Sequence, residues 1–373
     1  IGRGPVHTVP PPGASLSARG AQRSAADPSF CARGGDGAVS CWGNSFYAEL
    51  GYGPQSVTAR PAPLTSLGTR AVHIASGGAG TSCAVLAEGG AWCWGMVSNA
   101  KGVFDRKPFP EQVADLPRAR QIAVGWGHAC TRGDDGVSCW GRNDSGELGN
   151  GAKFLFAMVP GPVKDIGADV VQLASSYNHT CARLSDGTLK CWGANTWGQL
   201  GDGTTAERLT PVQVAGLGGK ARDVATGWGH TCAVLETGTT WCWGQNDLGQ
   251  LAVDAPSSSP TPVRIAGLPP ALAVSSGENH ICALAVGEVW CWGRNDMGQL
   301  GNGTNEPWRS AATPPVRAQA PGVVFVEVSA GANATCARSK DDNVWCWGTR
   351  NHGLQADGET GYSPKPMAVA GCR

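Results

Sequence analysis

The sequence predicts an all-β fold, a seven-bladed β-propeller with about four antiparallel strands in each blade. Two observations lead to this prediction. A cysteine followed nine or ten positions later by Cys-Trp-Gly occurs seven times, and successive copies lie 47 to 54 residues apart. Each copy also contains about four short strand-like segments. A fixed period of this length indicates an array of one supersecondary unit, and a ring of four-stranded units is a propeller.

The unit at residues 211–252 illustrates the four segments. Pro211-Val-Gln-Val alternates apolar and polar residues as a half-buried strand does, and its proline suits an edge strand. Three further segments begin at Arg222, His230 and Thr239. We expect one domain at 21–373 after a Pro- and Gly-rich segment at 1–20. Its repeats are predicted to centre on 31–43, 83–95, 130–141, 181–193, 232–244, 282–293 and 336–348.

Composition favours short strands and tight turns over helices. The 373 residues include 55 glycines and 25 prolines, and only 16% are charged, below the usual quarter. The formal net charge is zero and Lys/Arg-rich runs are absent, which argues against a nucleic-acid partner. No apolar run reaches the length of a transmembrane helix, so none is expected. The start, without Met or an apolar signal core, is interpreted as a processed or trimmed end.

The repeat resembles the regulator of chromosome condensation repeat. The resemblance rests on Gly-x-x-His-Thr-Cys-Ala-Leu, Asp-Gly and Cys-Trp-Gly-x-Asn-x-x-Gly-Gln-Leu-Gly and covers residues 31–348. The tail of this pattern is clearest at 195–201 and 295–301, and in the third copy it carries Glu147 in place of Gln. In the second copy, where Met96 follows Trp-Gly, the tail is lost. The resemblance implies a seven-bladed propeller, here interpreted as a disulfide-rich, bacterial secreted member of the family.

The C-terminal segment suggests how the ring closes. Pro366-Met-Ala-Val-Ala-Gly is similar to Pro211-Val-Gln-Val-Ala-Gly but has no blade after it, and blade 1 lacks an obvious strand of this kind beside Cys31. We therefore expect residues 366–371 to complete blade 1, so that both ends of the chain are held in one sheet.

The paired cysteines suit disulfides across a hairpin. A three-residue loop would place Cys232 opposite Cys242, with Gly238 at the left-handed position. Directly opposed Cα atoms lie ~4.5–5.5 Å apart, and a disulfide accepts ~4.4–6.8 Å. A zinc site or free cysteines packed in the core are the alternatives, but both members recur in every blade. The predicted pairs are Cys31 with Cys41, Cys83 with Cys93, Cys130 with Cys139, Cys181 with Cys191, Cys232 with Cys242, Cys282 with Cys291, and Cys336 with Cys346.

Seven disulfides would also indicate where the protein resides. Such bonds persist outside the cytosol, so we expect a secreted, periplasmic or cell-surface protein. Cys372 is the fifteenth cysteine and has no partner in the repeat. It is expected either to be free or to join a partner chain.

A histidine stands two residues before the first cysteine in four blades, at His128, His179, His230 and His280. A ring of metal ligands is one interpretation. The other is a hydrogen bond to the backbone of the same blade, and it is favoured because a seven-fold ring suits tetrahedral coordination poorly. No metal and no cofactor is therefore expected.

Two groups of aromatic residues are candidates for partner binding. The position four residues before the first cysteine varies around the ring: Asp27, Ala79, Trp126, Tyr177, Trp228, Glu278 and Ala332. Variable loop tips on a constant scaffold usually carry recognition, so Trp126, Tyr177, Trp228 and Glu278 form the first candidate, unless they cap the blade ends. The second is Phe104, Phe109, Phe154 and Phe156, expected on neighbouring inter-blade loops, unless they fold back onto the propeller wall.

The function predicted is binding, not catalysis. The sequence lacks the common catalytic motifs, so the loop face is expected to bind another protein or a surface polymer, or the chain to form part of a surface assembly. The oligomeric state is left open. Three alternatives are a secreted inhibitor of an enzyme such as a β-lactamase, an enzyme built from propeller loops, and an intracellular GTPase exchange factor. The family's plant ultraviolet photoreceptor uses a Gly-Trp-Arg-His loop, whereas Gly127 and Gly229 stand at the arginine position here.

Overall fold

Seven antiparallel sheets of four strands make up the protein, and each sheet uses four strands that are consecutive in sequence. The computed structural model describes residues 15–18, 29–43, 45, 47–53, 58–67, 71–78, 80–98, 104–254, 257–306, 314–350 and 361–369. In these residues one short 3-10 turn, Thr65–Leu67, accompanies the strands. The predicted all-β class and the seven four-stranded blades are confirmed.

The strands of blades 1 to 4 have the following bounds. They are β1 (Ser15–Ala18), β2 (Ser29–Arg33), β3 (Val39–Gly43), β4 (Thr58–Pro63), β5 (Ala71–Ser76), β6 (Thr81–Leu86), β7 (Ala91–Ser98), β8 (Phe104–Gln112), β9 (Ala119–Val124), β10 (His128–Gly133), β11 (Gly136–Asn143), β12 (Phe154–Pro162), β13 (Val170–Ser176), β14 (His179–Leu184), β15 (Leu189–Gly193) and β16 (Arg208–Gln213).

Blades 5 to 7 follow the same plan. Their strands are β17 (Ala221–Thr226), β18 (His230–Leu235), β19 (Thr240–Gln245), β20 (Ser258–Arg264), β21 (Ala271–Ser276), β22 (His280–Ala285), β23 (Glu288–Gly293), β24 (Val316–Arg317), β25 (Phe325–Ala330), β26 (Ala334–Ser339), β27 (Val344–Thr349) and β28 (Tyr362–Ala368).

The first strand of each blade lies innermost. These strands contact the first strands of both neighbouring blades, and β1 contacts β5 and β25 in the same way. The fourth strand is the outer edge of its sheet. Proline is common in these outer strands, for example at Pro211 and Pro260, because an edge strand can lose one N–H without breaking a sheet hydrogen bond.

The second and third strands of each blade form the hairpin that carries the cysteines. Cys232 lies directly opposite Cys242. In the loop between them Gly238 has a φ of 83° and donates its N–H to the carbonyl of Leu235 at 2.8 Å. The glycine therefore takes the left-handed position that the sequence predicts for it.

All seven predicted cysteine pairs are disulfides, and in each the two Cα atoms lie 4.1 Å apart. This separation is slightly shorter than the range expected from the sequence, and the two cysteines stand directly opposite each other on paired strands, as predicted. Cys372 lies outside the described residues. The confirmed bonds join Cys31 to Cys41, Cys83 to Cys93, Cys130 to Cys139, Cys181 to Cys191, Cys232 to Cys242, Cys282 to Cys291, and Cys336 to Cys346.

The predicted closing strand is wrong. Tyr362–Ala368 pairs with β27 and completes blade 7, while Thr58–Pro63 supplies the outer strand of blade 1. The similar segment at Arg208–Gln213 likewise belongs to the blade before it. Each outer strand pairs with the strand that precedes it in sequence, as sequential antiparallel strands usually do. Residues 370 and 371 of the predicted strand lie outside the described residues.

Packing between blade faces therefore closes the ring. Strand β1 contacts β25 and β26, and Phe30 and Trp42 of blade 1 share a buried cluster with Val344 and Val369 of blade 7. The rings of Phe30 and Trp42 are stacked with centroids 5.9 Å apart. Apolar contact, without a shared strand, thus joins the first blade to the last.

A recurring group of four residues joins neighbouring blades, and we call it the inter-blade clasp. Between blades 4 and 5 it comprises His179, Gln199, Thr231 and Trp243. The backbone carbonyl of Gln199 accepts hydrogen bonds from Nε1 of Trp243 (2.9 Å) and from the hydroxyl of Thr231 (2.8 Å). Nε2 of His179 lies 2.9 Å from the same hydroxyl. Because that hydroxyl gives its hydrogen to Gln199, Nε2 must be the donor in this contact.

The clasp shows that the role predicted for the histidines is wrong, and it explains why a tryptophan recurs after the second cysteine of the blades. The bond from His179 crosses to the next blade instead of meeting backbone in its own. The same indole-to-carbonyl bond holds five tryptophans, Trp94, Trp192, Trp243, Trp292 and Trp347, to the residues Glu49, Glu147, Gln199, Gln250 and Gln299 of the preceding blade. These tryptophans are fully buried, so they are part of the scaffold.

Candidate functional site

One end of the propeller gathers two sets of loops, and we call it the loop face. The Gly-x-x-His loops between first and second strands lie beside the turns that follow the third strands. In blade 5 the N–H of Gln245, at the end of β19, donates to the carbonyl of Gly229 at 2.8 Å. An added Cβ at Gly229 would lie 2.8 Å from Trp197, which belongs to the turn of blade 4. Residues from adjacent blades are therefore in contact on this face.

The first group of predicted binding residues forms a continuous arc on the loop face. The rings of Trp126 and Tyr177 are stacked with centroids 5.8 Å apart, and Tyr177 meets Trp228 edge-on at 5.7 Å. Backbone bonds connect the same loops: Trp126 donates to Tyr177 at 2.7 Å and Trp228 to Glu278 at 3.2 Å. We call Trp126, Tyr177 and Trp228 the aromatic arc. All three side chains are half-buried, so each keeps surface that a partner can cover.

The backbone of Tyr177 is held in an unfavourable conformation. Its φ is 39°, a left-handed value that bulky side chains rarely adopt. Such a conformation costs of order 1–3 kcal/mol and persists where the surroundings enforce it, often at functional sites. The carbonyl of Tyr177 accepts the N–H of Trp126, so the strained residue is also the link between two loops of the arc.

Packing of histidine on glycine shapes the base of these loops. A Cβ added at Gly227 would lie 2.0 Å from Cε1 of His230, so no larger residue fits there. Burial lowers the pKa of His230 to about 3, which keeps its ring neutral at physiological pH. Neither ring nitrogen of His230 has a hydrogen-bond partner in the described part of the chain. The reason is Ile281, which stands where Thr231 and Thr335 stand at other blade boundaries.

A cation already covers one end of the arc. The guanidinium of Arg142 lies 4.2 Å from the ring centroid of Trp126, and two of its nitrogens bond the carboxylate of Asp144. Blade 5 repeats the tryptophan and the aspartate as Trp228 and Asp247, but Gln245 replaces the arginine and donates to Asp247 at 3.0 Å. The two outer members of the arc thus differ in charge environment although their loops are alike.

The other end of the arc borders a small cavity of about 100 Å³ where the innermost strands end. Tyr177, Trp228 and Glu278 contribute to its lining, together with small residues such as Ser76, Gly77, Ser175, Thr226 and Ser276. Among the described lining residues, Glu278 is the only one with a carboxylate or a basic side chain. The cavity therefore combines aromatic surface, hydroxyl groups and one acidic residue.

The second group of predicted binding residues does not lie on loops. Phe154 and Phe156 belong to β12, the outer edge of blade 3, and Phe104 and Phe109 belong to β8 of blade 2. The expectation of neighbouring loops is wrong, because both segments continue the sheet as fourth strands. Phe109 is 51% exposed, while the side chain of Phe104 lies outside what the structure describes. Leu155 and Val159, 62% and 60% exposed, extend this surface and were missed from the sequence.

The remaining positions of the variable loop ring are less informative. Ala332 is buried, and Asp27 and Ala79 lie outside the described residues. Sequence reasoning missed Trp197, which contacts the loop of Trp228 from the turn of blade 4. Its signal was present, since the same turn position holds Ser145 in blade 3 and Met297 in blade 6. A residue that varies on a constant turn was again one that lies beside the arc.

The described residues contain no group of three or more His, Cys, Asp or Glu side chains arranged to hold a metal. They also include no helix with the length and apolarity needed to cross a membrane. Burial raises the pKa of the Glu147 carboxyl group to about 7. This residue lies in the clasp between blades 3 and 4, where its carbonyl binds Trp192 at 2.8 Å, and not in the cavity.

Comparison with known proteins gives a consistent result. A family model described as the RCC1-like domain matches residues 16–309, and models of the regulator of chromosome condensation (RCC1) repeat match 286–338 and 325–353. The chain is 31% identical over 337 residues to the ultraviolet-B receptor UVR8 of Arabidopsis thaliana, and the match covers 86% of this chain and 75% of that protein.

Two further similarities extend this result. The chain is 32% identical over 244 residues to the human E3 ubiquitin-protein ligase HERC2, covering 62% of this chain but only 5% of that protein. The structure of yeast RCC1 (Prp20) bound to Kap60 superposes with a TM-score of 0.75 at 21% identity and covers 88% of this chain and 83% of that one. The similarity to yeast RCC1 (Prp20) concerns the fold alone.

Proposed function

Because the chain belongs to the family of RCC1-like domains, we propose that it is a protein-interaction module that binds its partner through the loop face. The aromatic arc carries this proposal. Trp126, Tyr177 and Trp228 come from three consecutive blades, contact one another and remain half-buried. Tryptophan and tyrosine dominate the binding energy of protein interfaces because they bury large apolar surfaces at a low cost in side-chain entropy.

The arc has the properties of a preorganised interface. Backbone bonds between loops fix its rings before any partner arrives, and the left-handed backbone of Tyr177 is retained within them. A preorganised surface loses little conformational entropy on binding. The structural scaffold does not require these residues, since the equivalent positions in other blades hold Glu278 and Ala332.

We also propose that the protein acts outside the cytosol. Seven disulfides, one in each blade, support this location, because the reducing systems of the cytosol keep such cysteines as free thiols. Intact mass after thiol alkylation of unfolded protein from its native source tests the location. At most one of the fifteen cysteines should be labelled; labelling of most of them would place the protein in a reducing compartment.

An intracellular exchange-factor or light-sensing role is not favoured. Gly127 and Gly229 stand where the photoreceptor loop carries arginine, and the disulfides disfavour a nuclear or cytosolic site. An inhibitor of a secreted enzyme is one form of the proposed function, because the partner would then be an enzyme held by the same face.

Capture experiments with matched variants test the proposed function. The wild-type protein, a Trp126→Ala/Trp228→Ala variant and a Val286→Asn variant would be immobilised and exposed to the secreted and cell-surface proteins of the source organism. Val286 is 67% exposed on a hairpin at the opposite end of the propeller. We expect the same partner on the wild type and on Val286→Asn, and at least tenfold less on the double variant.

The melting temperature of each variant must be measured alongside capture. The proposal fails if the double variant is folded and still retains the partner at the wild-type level. It also fails if the Val286→Asn control loses the partner while the double variant keeps it, because the opposite face would then be the binding surface.

A further inference from the structure

We propose that β12, the outer strand of blade 3, associates edge to edge with β12 of a second copy of this chain, so that the protein forms a weak two-fold dimer. The contact uses the outer edge of a blade and not the aromatic arc. The inference therefore does not depend on the proposed function.

Strand β12 exposes an unusual amount of apolar surface. Four of its large apolar side chains are exposed, namely Leu155 (62%), Val159 (60%), Phe154 (38%) and Met158 (36%), and no other described strand has more than one. In the described part of the chain no strand pairs with the outer edge of β12. A contiguous exposed apolar surface of this kind usually marks an interaction site.

The strand also lacks the charges that protect the other outer edges. Edge strands are commonly kept from pairing with other chains by charged side chains, above all by lysine. The sequence of β12, Phe-Leu-Phe-Ala-Met-Val-Pro-Gly-Pro, contains no charged residue. Each of the other six outer strands contains at least one basic residue: Arg60, Arg106, Arg208, Arg264, Arg317 and Lys365.

The absence of charge favours a second copy as the occupant. A two-fold interface brings the same surface of both copies together, so an outer strand that carries a basic residue would bring like charges together, whereas β12 would not. With the two-fold axis near Ala157, Leu155 of one copy lies opposite Val159 of the other. The nearest charge before the strand, Lys153, is paired with Glu207 of blade 4 at 2.5 Å, so it adds little repulsion at this edge.

The geometry of the strand indicates a weak dimer. The pairing of β12 with β11 shifts register on both sides of Phe156 and Ala157, and such bulges bend and twist an edge. Backbone bonds between the copies are therefore few, and apolar side chains supply most of the contact. A contact of this extent is smaller than the ~1,200–2,000 Å² of a stable interface, so we expect a dissociation constant of about 10–100 µM.

Sedimentation velocity over a range of concentrations tests the dimer. All proteins would carry Cys372→Ser, so that no intermolecular disulfide forms through the fifteenth cysteine. Leu155→Lys/Val159→Lys should weaken the dimer at least tenfold, because lysines of the two copies would face one another. Gln213→Lys/Thr261→Lys adds the same charge at exposed positions on the outer strands of blades 4 and 5 and should change the dissociation constant less than twofold.

A mixture of opposite charges tests the arrangement of the strands. Leu155→Glu/Val159→Glu should also be monomeric by itself, but an equimolar mixture with the lysine variant should dimerise, because lysine then faces glutamate across the two-fold axis. The Trp126→Ala/Trp228→Ala variant should dimerise like the wild type, since the aromatic arc lies outside this contact.

Three results would overturn the inference. They are a wild type that stays monomeric at every concentration, a dimer that the two lysines on β12 leave unchanged, and a dimer that is lost in the Trp126→Ala/Trp228→Ala variant. Should the lysine variant fail to fold, as judged by its melting temperature, Leu155→Ser/Val159→Thr replaces it, and weaker dimerisation is again expected. Partner capture through the aromatic arc is measured separately, so the proposed function and the dimer fail independently.

Discussion

Nε2 of His179 lies 2.9 Å from the hydroxyl of Thr231, across the boundary between blades 4 and 5. The hydroxyl of Thr231 and the indole of Trp243 both donate to the carbonyl of Gln199, so one clasp fixes His179, at the end of the Tyr177 loop, and the tail turn of the same blade. The loops of the loop face are thus positioned by bonds between blades, although each repeat in the sequence spans only about fifty residues.

Thr231→Val tests the energetic role of the clasp. Valine has nearly the shape of threonine but leaves Nε2 of His179 without an acceptor and removes the hydroxyl bond to Gln199. We expect the free energy of unfolding to fall by about 1–3 kcal/mol, measured by urea denaturation. Ile281→Val is the matched control at the next boundary, where no hydroxyl is present, and should cost less. An equal loss in both variants would show that packing, not hydrogen bonding, dominates.

Glu147→Gln should stabilise the protein at neutral and higher pH. Glu147 occupies the position that holds Gln199, Gln250 and Gln299 in blades 4 to 6, and burial raises its pKa to about 7. Its folded form therefore binds a proton more tightly than the unfolded form, so the wild type loses stability as the pH rises from about 4.5 to 7. The variant should gain about 1–3 kcal/mol above pH 7 and little below pH 4.5. A gain independent of pH would contradict this explanation.

Acid should destabilise the propeller through its buried histidines. Burial lowers the pKa of His128, His179, His230 and His280 to about 3, below the unfolded value of about 6.5. Between these values only the unfolded chain binds the protons, so stability falls as the pH drops below 6.5, by up to about 1.4 kcal/mol per pH unit for each histidine. Glu147 opposes part of this change above pH 4.5.

His230→Leu tests that attribution, because neither ring nitrogen of His230 has a bond to lose in the described residues. Urea midpoints measured from pH 8 to pH 4.5 should fall less steeply in the variant, because its unfolded chain lacks the one proton that His230 would bind. If the two profiles have the same slope, other groups determine the acid sensitivity.

Val286→Asn should raise the melting temperature. Val286 and Gly287 form a two-residue hairpin turn with φ values of 48° and 80°. A type I′ turn of this kind favours Asn-Gly, whereas a left-handed valine is strained by roughly 1–2 kcal/mol. The exposed side chain of Val286 buries little, so relief of strain should dominate in differential scanning calorimetry. Val286→Ala, which keeps a Cβ, should gain less, and a lower melting temperature in the asparagine variant would refute the argument.

The sequence by itself determined the unit of this fold. The hairpin at Cys232 and Cys242 depends on a loop length and on Gly238, both of which are local, and the disulfide follows from two residues held directly opposite each other. The variable positions Trp126, Tyr177 and Trp228 could be selected in the same way, because they stand out against a constant repeat.

Only the tertiary structure decided how the units join. Periodicity does not say whether an outer strand belongs to the blade before or after it, and the strand at Tyr362–Ala368 belongs to the blade before it. Nor does it reveal that His179 bonds Thr231, 52 positions away, or that Tyr177 adopts a left-handed backbone between two tryptophans. Local patterns record which residues neighbour one another along a strand, whereas contacts between blades depend on the closed ring that brings distant segments together.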